Sequence, residues 1–358
     1  MKYAAIVLRN IESATQSVRY VAVTDEMLSG GIFLDEIVLL SYSAPSALSS
    51  ALIRLSLECA AVFLICDDAL LSCARDAVSA HTGKPFEGDF SEEAECLYFV
   101  LPAGEEGVER VKFSVLPTVD SRRGRKYSRS VVRAIAAPAA RVRSALVAAR
   151  EAAKGKLSLH AIDYYGETRI ELIYDSETPK MICDEVVRIL ASELEEYVYA
   201  VEDVTIAKRL FDLLKLRRLK LATAESFTAG KVGQSIVNIS GASAVFYEGL
   251  NTYDNVSKMQ RLGVSEFTLK TKGAVSSEVA YEMAAGLIAD GHCDLAVATT
   301  GIAGPQSDGT EKPVGLCYIA VGTREQVRVF RYRLNGDRDT ITNTAVNLAL
   351  FLAYREIK

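Results

Sequence analysis

Residues 219–230 read Leu-Lys-Leu-Ala-Thr-Ala-Glu-Ser-Phe-Thr-Ala-Gly and mark a strand-to-helix junction in the C-terminal part of the chain. The apolar run over 219–224 predicts a buried strand, and the polar residues after it predict a junction with a helix over 229–238. Unpaired N–H groups and the positive end of the helix dipole favour an anion at such a junction. A phosphate or carboxylate therefore fits there, and the open alternative is that Ser226 or Thr228 only caps the helix.

Three side chains that can do acid–base or nucleophilic chemistry follow this junction. Ser243 lies in a turn, a strand over 245–252 comes next, and Tyr253 and Lys258 follow that strand. Lys258 is predicted in the first turn of a helix, where the positive helix end and partial burial would lower the pKa of its amine. A neutral Lys258 amine or a Tyr253 tyrosinate is then expected to take the proton from Ser243 as Ser243 attacks an amide carbonyl. The alternative is that Ser243 has only turn chemistry.

Further along the chain, a buried strand over 294–298 leads into Thr-Gly-Ile-Ala-Gly-Pro at 300–305. Glycines in such a loop let a backbone approach a ligand closely. Strands over 314–321 and 326–333 are predicted to form a hairpin. Arg338 stands at the start of the last helix, where a guanidinium suits a phosphate, with a surface salt bridge as the alternative.

Length and composition set the limits on the class of protein. The chain has 358 residues, 49% of them hydrophobic, which is enough for two or three domains with sizeable cores. A net charge of -5 gives no basic field that would recruit nucleic acid or an anionic membrane. The longest apolar runs are too short for a membrane span, and the N-terminus lacks a signal pattern. We therefore expect a cytoplasmic protein without nucleic-acid or membrane partners.

The seven cysteines are scattered and form no C-x-x-C pair, so we interpret them as reduced thiols that serve as small apolar residues. Cys59, Cys66 and Cys73 repeat every seven residues, as in a helical stripe. A strand predicted over 62–65 interrupts that stripe, so a metal site is not expected there.

The N-terminal part alternates strands and helices, which predicts a parallel or mixed sheet covered by helices. The predicted strands cover 3–8, 36–42, 61–66 and 97–101, and the predicted helices cover 51–60 and 70–80. A ligand would be expected at the carboxyl ends of these strands. Cys66-Asp67-Asp68 at one such end lacks glycines, and a solvated helix start explains it better.

Two further segments connect the N-terminal and C-terminal parts. A basic run over 121–133 is predicted to be a solvated loop, with an anion-binding patch as the alternative. A helix over 139–154 begins after Pro138 and ends before Gly155. Strands over 157–162 and 168–174, followed by a helix, predict a small α+β module, and the lone His160 receives no role.

Seven short segments of the C-terminal part, taken together, resemble the C-terminal domain of the CinA (competence/damage-inducible) family. Their order and spacing match the family pattern over residues 223–338. The segments are Thr223-Ala-Glu-Ser-Phe-Thr-Ala-Gly230, Gly241-Ala-Ser243, Tyr253 to Lys258, Gly273-Ala-Val-Ser276, Thr300-Gly-Ile-Ala-Gly-Pro305, Glu311-Lys-Pro-Val-Gly315 and Gly336-Asp-Arg338.

The resemblance implies a nicotinamide-nucleotide amidohydrolase, which converts nicotinamide mononucleotide to nicotinic acid mononucleotide and ammonia without a metal or other cofactor. It implies that Ser243 is the nucleophile and that Tyr253 and Lys258 assist proton transfer. It also implies substrate contacts from the loop and helix residues Glu225, Ser226, Thr228, Thr300, Gly301 and Arg338. We expect a homodimer or larger homo-oligomer.

The chain also departs from the family pattern. The family usually has glycine where Ala229 stands and often serine where Ala242 stands. Its N-terminal domain resembles molybdopterin-binding folds and is an ADP-ribose pyrophosphatase in active members, with a glycine-rich loop that aligns here with Cys66–Leu70, where those glycines are missing. We therefore expect a degenerate N-terminal domain.

These observations predict an α/β protein of three parts. They are a molybdopterin-binding-like α/β domain over 1–155, a small α+β module over 156–202 and a three-layer α/β amidohydrolase domain over 203–358. The alternatives are a nucleotide-binding or scaffold protein without catalysis and, less favoured, an ADP-ribose pyrophosphatase. The enzymatic hypothesis requires Ser243 within bonding distance of Tyr253 or Lys258.

Overall fold

The computed structural model describes residues 1–9, 19–42, 45–289, 291–307, 309 and 311–358, and they divide into two compact units. The first unit consists of Met1–Arg129, Gly155–Ser158 and Leu172–Cys183. The second consists of Ser130–Lys154, Leu159–Glu171 and Asp184–Lys358. The boundaries of the three predicted domains differ from those of the two units, and the three-domain division stays a prediction.

The N-terminal sheet has the strand order β2-β1-β3-β5-β4, parallel except for the antiparallel pair of β4 with β5. Its strands are β1 (Tyr3–Arg9), β2 (Glu36–Ser41), β3 (Ala61–Cys66), β4 (Phe90–Glu93) and β5 (Cys96–Pro102). The helices are α1 (Arg19–Ser29), α2 (Pro45–Ser56), α3 (Leu71–Thr82), α4 (Glu105–Arg110) and α5 (Leu116–Arg123). Side chains of successive strand residues enter two separate apolar cores, one on each face, which confirms the expected α/β layering.

The basic run over 121–133 is not a solvated loop, and that prediction is wrong. It contains the end of α5 and most of β6 (Tyr127–Ile135). Four of its arginines form ion pairs with acidic side chains: Arg122 with Glu92, Arg123 with Asp120, Arg125 with Asp175 and Glu177, and Arg133 with Glu167 and Asp203. Strand pairing therefore uses the backbone of this segment, and ion pairs use arginine side chains that the sequence pattern left free for an anion.

The middle of the chain forms a four-stranded sheet of order β7-β8-β6-β9. Its further strands are β7 (Leu157–Tyr164), β8 (Glu167–Asp175) and β9 (Val198–Ala200), with helices α6 (Ala139–Ala153) and α7 (Lys180–Leu194). The predicted helix over 139–154 and the two predicted strands after it are confirmed within about two residues at each end.

The C-terminal sheet has the order β11-β10-β12-β13-β14. β10 is parallel to both β11 and β12, and β12, β13 and β14 are antiparallel. The strands are β10 (Leu221–Glu225), β11 (Phe246–Asn251), β12 (Leu295–Gly301), β13 (Leu316–Thr323) and β14 (Val327–Arg333). The helices are α8 (Ile206–Arg217), α9 (Lys231–Val237), α10 (Asn255–Leu262), α11 (Glu266–Lys272), α12 (Ser277–Ile288) and α13 (Arg338–Glu356). The predicted β13–β14 hairpin is confirmed.

Helices cover both faces of this sheet, as expected for three layers. The face that packs on α12 carries alanines at 222, 224, 296, 298 and 320, whereas larger aliphatic residues on the other face pack on α8 and α13. Because β10 and β11 are parallel, their carboxyl ends meet at one edge, and the polar residues gather there. In the described part of the chain, no helix has the length and apolar character needed to cross a bilayer.

Candidate functional site

The site is centred on Lys258, a lysine that is almost completely buried. It lies on α10, which begins just after the carboxyl end of β11 and is capped by the Asp254 side chain. Only 1% of Lys258 is exposed. Burial lowers the pKa of its amine from 10.5 to about 8, and the charge of nearby Asp254 partly opposes this shift. A substantial fraction of Lys258 is therefore neutral at mildly alkaline pH.

The Lys258 amine has three hydrogen-bond partners. The backbone oxygens of Thr252 and Tyr253 lie 2.8 Å and 2.9 Å from Nζ, and Ser226 Oγ lies 3.2 Å away. Carbonyl oxygens only accept, so they take the two N–H groups of a neutral amine. The lone pair then remains for the Ser226 hydroxyl. This arrangement fits a serine nucleophile whose proton passes to a lysine.

Ser226 is held by the junction between β10 and α9, and Glu225 organises that junction. Glu225 is 1% exposed, and its carboxylate accepts four hydrogen bonds. The donors are Thr228 Oγ1 and the N–H groups of Gly230, Val232 and Gly233, at 2.7 to 3.1 Å. The anion expected at this helix start is therefore Glu225 itself, and its carboxylate is not free to contact a substrate.

Other junction residues are also used by the fold. Thr228 is completely buried and bonds to Thr299 Oγ1 as well as to Glu225. Gly230, at φ 91°, is the residue before α9, and an added Cβ would lie 2.9 Å from Asn251 Nδ2. Ala229 adopts φ 52°, a left-handed conformation that favours glycine, which gives a physical reason for the family's preference at this position.

Ser243 is not part of this group, and the expected contact with Tyr253 or Lys258 within one chain is wrong. Its backbone oxygen accepts a hydrogen bond from Lys220, the residue that precedes β10. Ser243 thus precedes β11 at the amino end of the parallel strands, whereas Tyr253 and Lys258 follow the carboxyl end. The six residues of β11 separate these ends by roughly 20 Å.

Tyr253 and Arg338 form an exposed polar group beside the buried pair. The Tyr253 side chain is 64% exposed, and Arg338 Nη2 donates to its hydroxyl at 3.5 Å. Arg338 Nη1 also donates to the backbone oxygen of Gly304 at 2.8 Å. Since the Tyr253 backbone oxygen contacts Lys258, this group borders the Ser226–Lys258 pair. The structure brings Ser226, Tyr253, Lys258 and Arg338 to one place, and Ser243 to another.

Thr300 and Gly301 end β12 next to the junction. The Thr300 side chain is 1% exposed, and its hydroxyl donates to the backbone oxygen of Ala274 at 2.7 Å. An added Cβ at Gly301 would lie 2.6 Å from Cys317 Cβ, so packing explains this glycine. Both residues shape the edge of the sheet, and the Thr300 hydroxyl proton is already used.

Sequence reasoning treated Ser226 as a substrate contact, which stays a prediction, and missed its hydrogen bond with Lys258. A signal was available in the predicted strand over 245–252, which separates Ser243 from Tyr253. Ser226, in contrast, comes directly after β10, and Tyr253 comes shortly after β11, which is the neighbouring strand of the sheet. Parallel neighbouring strands place those two positions together.

Comparison with known proteins finds a family match for the C-terminal part of the chain. Residues 203–357 match the family model described as the CinA C-terminal domain. A competence-damage inducible protein of Caldicellulosiruptor saccharolyticus is 42% identical over 195 residues, which are 54% of this chain and 47% of that protein. A CinA-like protein of Chloroherpeton thalassium is 48% identical over 140 residues, which are 39% of this chain and 33% of that protein.

Among solved structures, the competence/damage inducible protein of Agrobacterium tumefaciens is 38% identical, with a TM-score of 0.40. That match covers 41% of this chain and 90% of the other. The chain spans about half the length, or less, of the curated relatives it matches. Residues 203–357 thus match the CinA C-terminal domain, and the relatives named competence-damage inducible or CinA-like are similar to about half of this chain or less.

Proposed function

We propose that the C-terminal domain hydrolyses the carboxamide of nicotinamide mononucleotide to nicotinic acid mononucleotide and ammonia. The observation that carries the proposal is the buried Lys258 amine, which has a lowered pKa and lies 3.2 Å from Ser226 Oγ. The enzymatic hypothesis with Ser243 as nucleophile fails its own requirement, since Ser243 does not lie beside Tyr253 or Lys258. The proposal is a new one that keeps the reaction implied by the CinA resemblance and assigns the nucleophile to Ser226.

The chemistry proceeds in two balanced steps. Ser226 Oγ attacks the carboxamide carbon while its proton passes to the neutral Lys258 amine, and Lys258 then protonates the departing nitrogen as the C–N bond breaks. This step releases ammonia and leaves an ester on Ser226. Water attacks that ester with Lys258 again accepting the proton. Return of the proton to Ser226 Oγ releases the carboxylic acid.

The negative charge that develops on the carboxamide oxygen needs donors close to Ser226. Within the described residues, no backbone acceptor is found for the N–H groups of Phe227 and Thr228, which follow Ser226 directly. Both residues are buried, with exposures of 4% and 0%. Because Thr228 is completely buried, we assign the N–H group of Phe227, the residue directly after Ser226, to the developing oxyanion.

Arg338 is the group that we assign to the substrate phosphate. It is exposed, and its guanidinium is held by Gly304 and Tyr253 at the border of the Ser226–Lys258 pair. A guanidinium binds phosphate through paired, charge-assisted hydrogen bonds. The free riboside lacks this contact, and the mononucleotide should be the better substrate. A homodimer or larger homo-oligomer stays our proposal for the assembly, and sedimentation measures it.

The proposed reaction is tested by ammonia release from nicotinamide mononucleotide by the full chain. We expect turnover by the parent protein, a loss of about a thousandfold or more in Ser226→Ala, and near-parent activity in Ser243→Ala. Ser243→Ala is a matched control because it also removes a serine hydroxyl, but at the opposite edge of the same sheet. Binding of the mononucleotide without ammonia release would instead favour a catalytically inactive nucleotide-binding protein.

A further inference from the structure

The hairpin between β7 and β8 has an unusual residue at its tip. Tyr165 and Gly166 form the two-residue connection, and both have positive φ, 52° and 72°. Such turns strongly prefer asparagine, aspartate or glycine, because a bulky side chain is strained there. A tyrosine at this position calls for a contact that compensates the strain.

The Tyr165 side chain makes that contact with the first turn of α13. Its hydroxyl donates to the carboxylate of Asp339, and its backbone oxygen accepts from Asn347 Nδ2 at 3.1 Å. An added Cβ at Gly166 would lie 3.0 Å from Thr344 Cγ2, so the turn packs closely on the helix. The tip is thus fixed to α13 at two positions, two turns apart.

Asp339 also forms an ion pair with Lys231, the first residue of α9. Lys231 Nζ lies 3.4 Å from Asp339 Oδ1 and bonds to Thr342 and Asn343 on the same helix. Asp339 therefore links the hairpin tip to the helix that follows the Ser226 junction. The hydrogen bond from Tyr165 lowers the pKa of the Asp339 carboxyl, so this carboxylate stays charged near neutral pH.

Arg338 is the neighbour of Asp339 in sequence and the first residue of α13. The direction of the Arg338 side chain depends on the backbone conformation of that first turn. Asp337 fixes this turn from one side, through the hydrogen bond from Thr340 N at 2.8 Å. The bond from Tyr165 to Asp339 fixes it from another.

We propose that Tyr165 is a positioning residue for Arg338, through which the β7–β8 hairpin sets the preference of the site for phosphorylated ligands. The proposal rests on the proposed function for the identity of the ligand. Loss of the Tyr165 hydroxyl would remove one of the bonds that hold the first turn of α13 and weaken the hold on a phosphate, while leaving the Ser226–Lys258 pair in place.

The test measures dissociation constants of nicotinamide mononucleotide and nicotinamide riboside for the full chain by calorimetry. We expect Tyr165→Phe to weaken mononucleotide binding about fivefold to tenfold and to leave riboside binding unchanged. Tyr281→Phe, which removes an exposed hydroxyl on α12, is the control and should change neither. In a turnover assay, Tyr165→Phe should raise KM for the mononucleotide with little change in kcat.

A double-mutant cycle with Arg338→Ala separates positioning from general destabilisation. If Tyr165 acts through Arg338, Tyr165→Phe has no further effect in the Arg338→Ala background. Equal weakening of both ligands, an additive effect in the double variant, or no effect of Tyr165→Phe would each overturn the inference. So would a parent protein that binds the mononucleotide no tighter than the riboside. A parent protein that shows this selectivity but releases no ammonia would refute the proposed hydrolysis and leave the inference standing.

Discussion

Cys66 and Lys258 show that burial has opposite chemical consequences at the carboxyl edges of the N-terminal and C-terminal sheets. Cys66 ends β3 and is 1% exposed, and burial raises the pKa of its thiol to about 12. Lys258 is equally buried, and burial lowers the pKa of its amine to about 8. Desolvation disfavours the charged form in both cases. Burial therefore disfavours the thiolate of Cys66 in one sheet and favours the neutral amine of Lys258 in the other.

The two junctions also differ in their polar groups. The one after β10 contains a buried carboxylate, Glu225, with four hydrogen bonds, and the hydroxyl of Ser226 beside an amine. The one after β3 continues through Asp67 into a short helical turn over Asp68–Leu70. A strand end in an α/β sheet is thus only a possible location for a site. A reactive site also needs a group whose reactive form is favoured by burial.

Replacing Lys258 tests the contrast with Cys66 most directly. Lys258→Met should lower kcat/KM for nicotinamide mononucleotide by about a hundredfold to ten-thousandfold, because general-base catalysis is lost. Lys258→Arg should be no better, because a guanidinium is not deprotonated in proteins. Ammonia release measures both. Substantial activity in the arginine variant would show that a neutral group at this position is not needed and would break the comparison.

The pH dependence should follow the Lys258 amine. Since its pKa is lowered to about 8, the neutral form gains population as pH rises through that value. We expect kcat/KM to rise about tenfold per pH unit below pH 8 and to level off above it. Initial rates between about pH 6 and pH 10 test this, with a pH-insensitive ammonia assay. A profile without a rise near pH 8 would contradict the role of Lys258.

The smallest expected effect concerns Cys66. Its thiol should resist iodoacetamide near neutral pH, because it is buried and remains protonated, whereas the partly buried Cys73 should be alkylated first. Cys66→Ala should leave ammonia release unchanged and cost roughly 1 kcal/mol of stability through the lost packing. Mass spectrometry of alkylated peptides and a thermal melt measure these effects. Rapid alkylation at Cys66 would remove the contrast with Lys258.

Much of the fold could be predicted because hydrophobic runs, turns and helix ends are local signals. The strand over 61–66, the helix over 139–154 and the β13–β14 hairpin were all predicted within a few residues. The basic run over 121–133 was mispredicted because charge suggests solvent, whereas Arg125 and Arg133 form ion pairs with acidic residues that are distant in sequence. A local pattern contains no information about such partners.

The sequence by itself determined the α/β class, the CinA resemblance and a lysine early in α10 whose amine should be perturbed. The hydroxyl that lies beside this amine becomes evident from the arrangement of the strands in the folded chain. Ser243 is closer to Lys258 in sequence, but a whole strand lies between them, and strands are extended. Ser226 is 32 residues away, yet β10 and β11 run in parallel, so the residues that follow them meet at one edge.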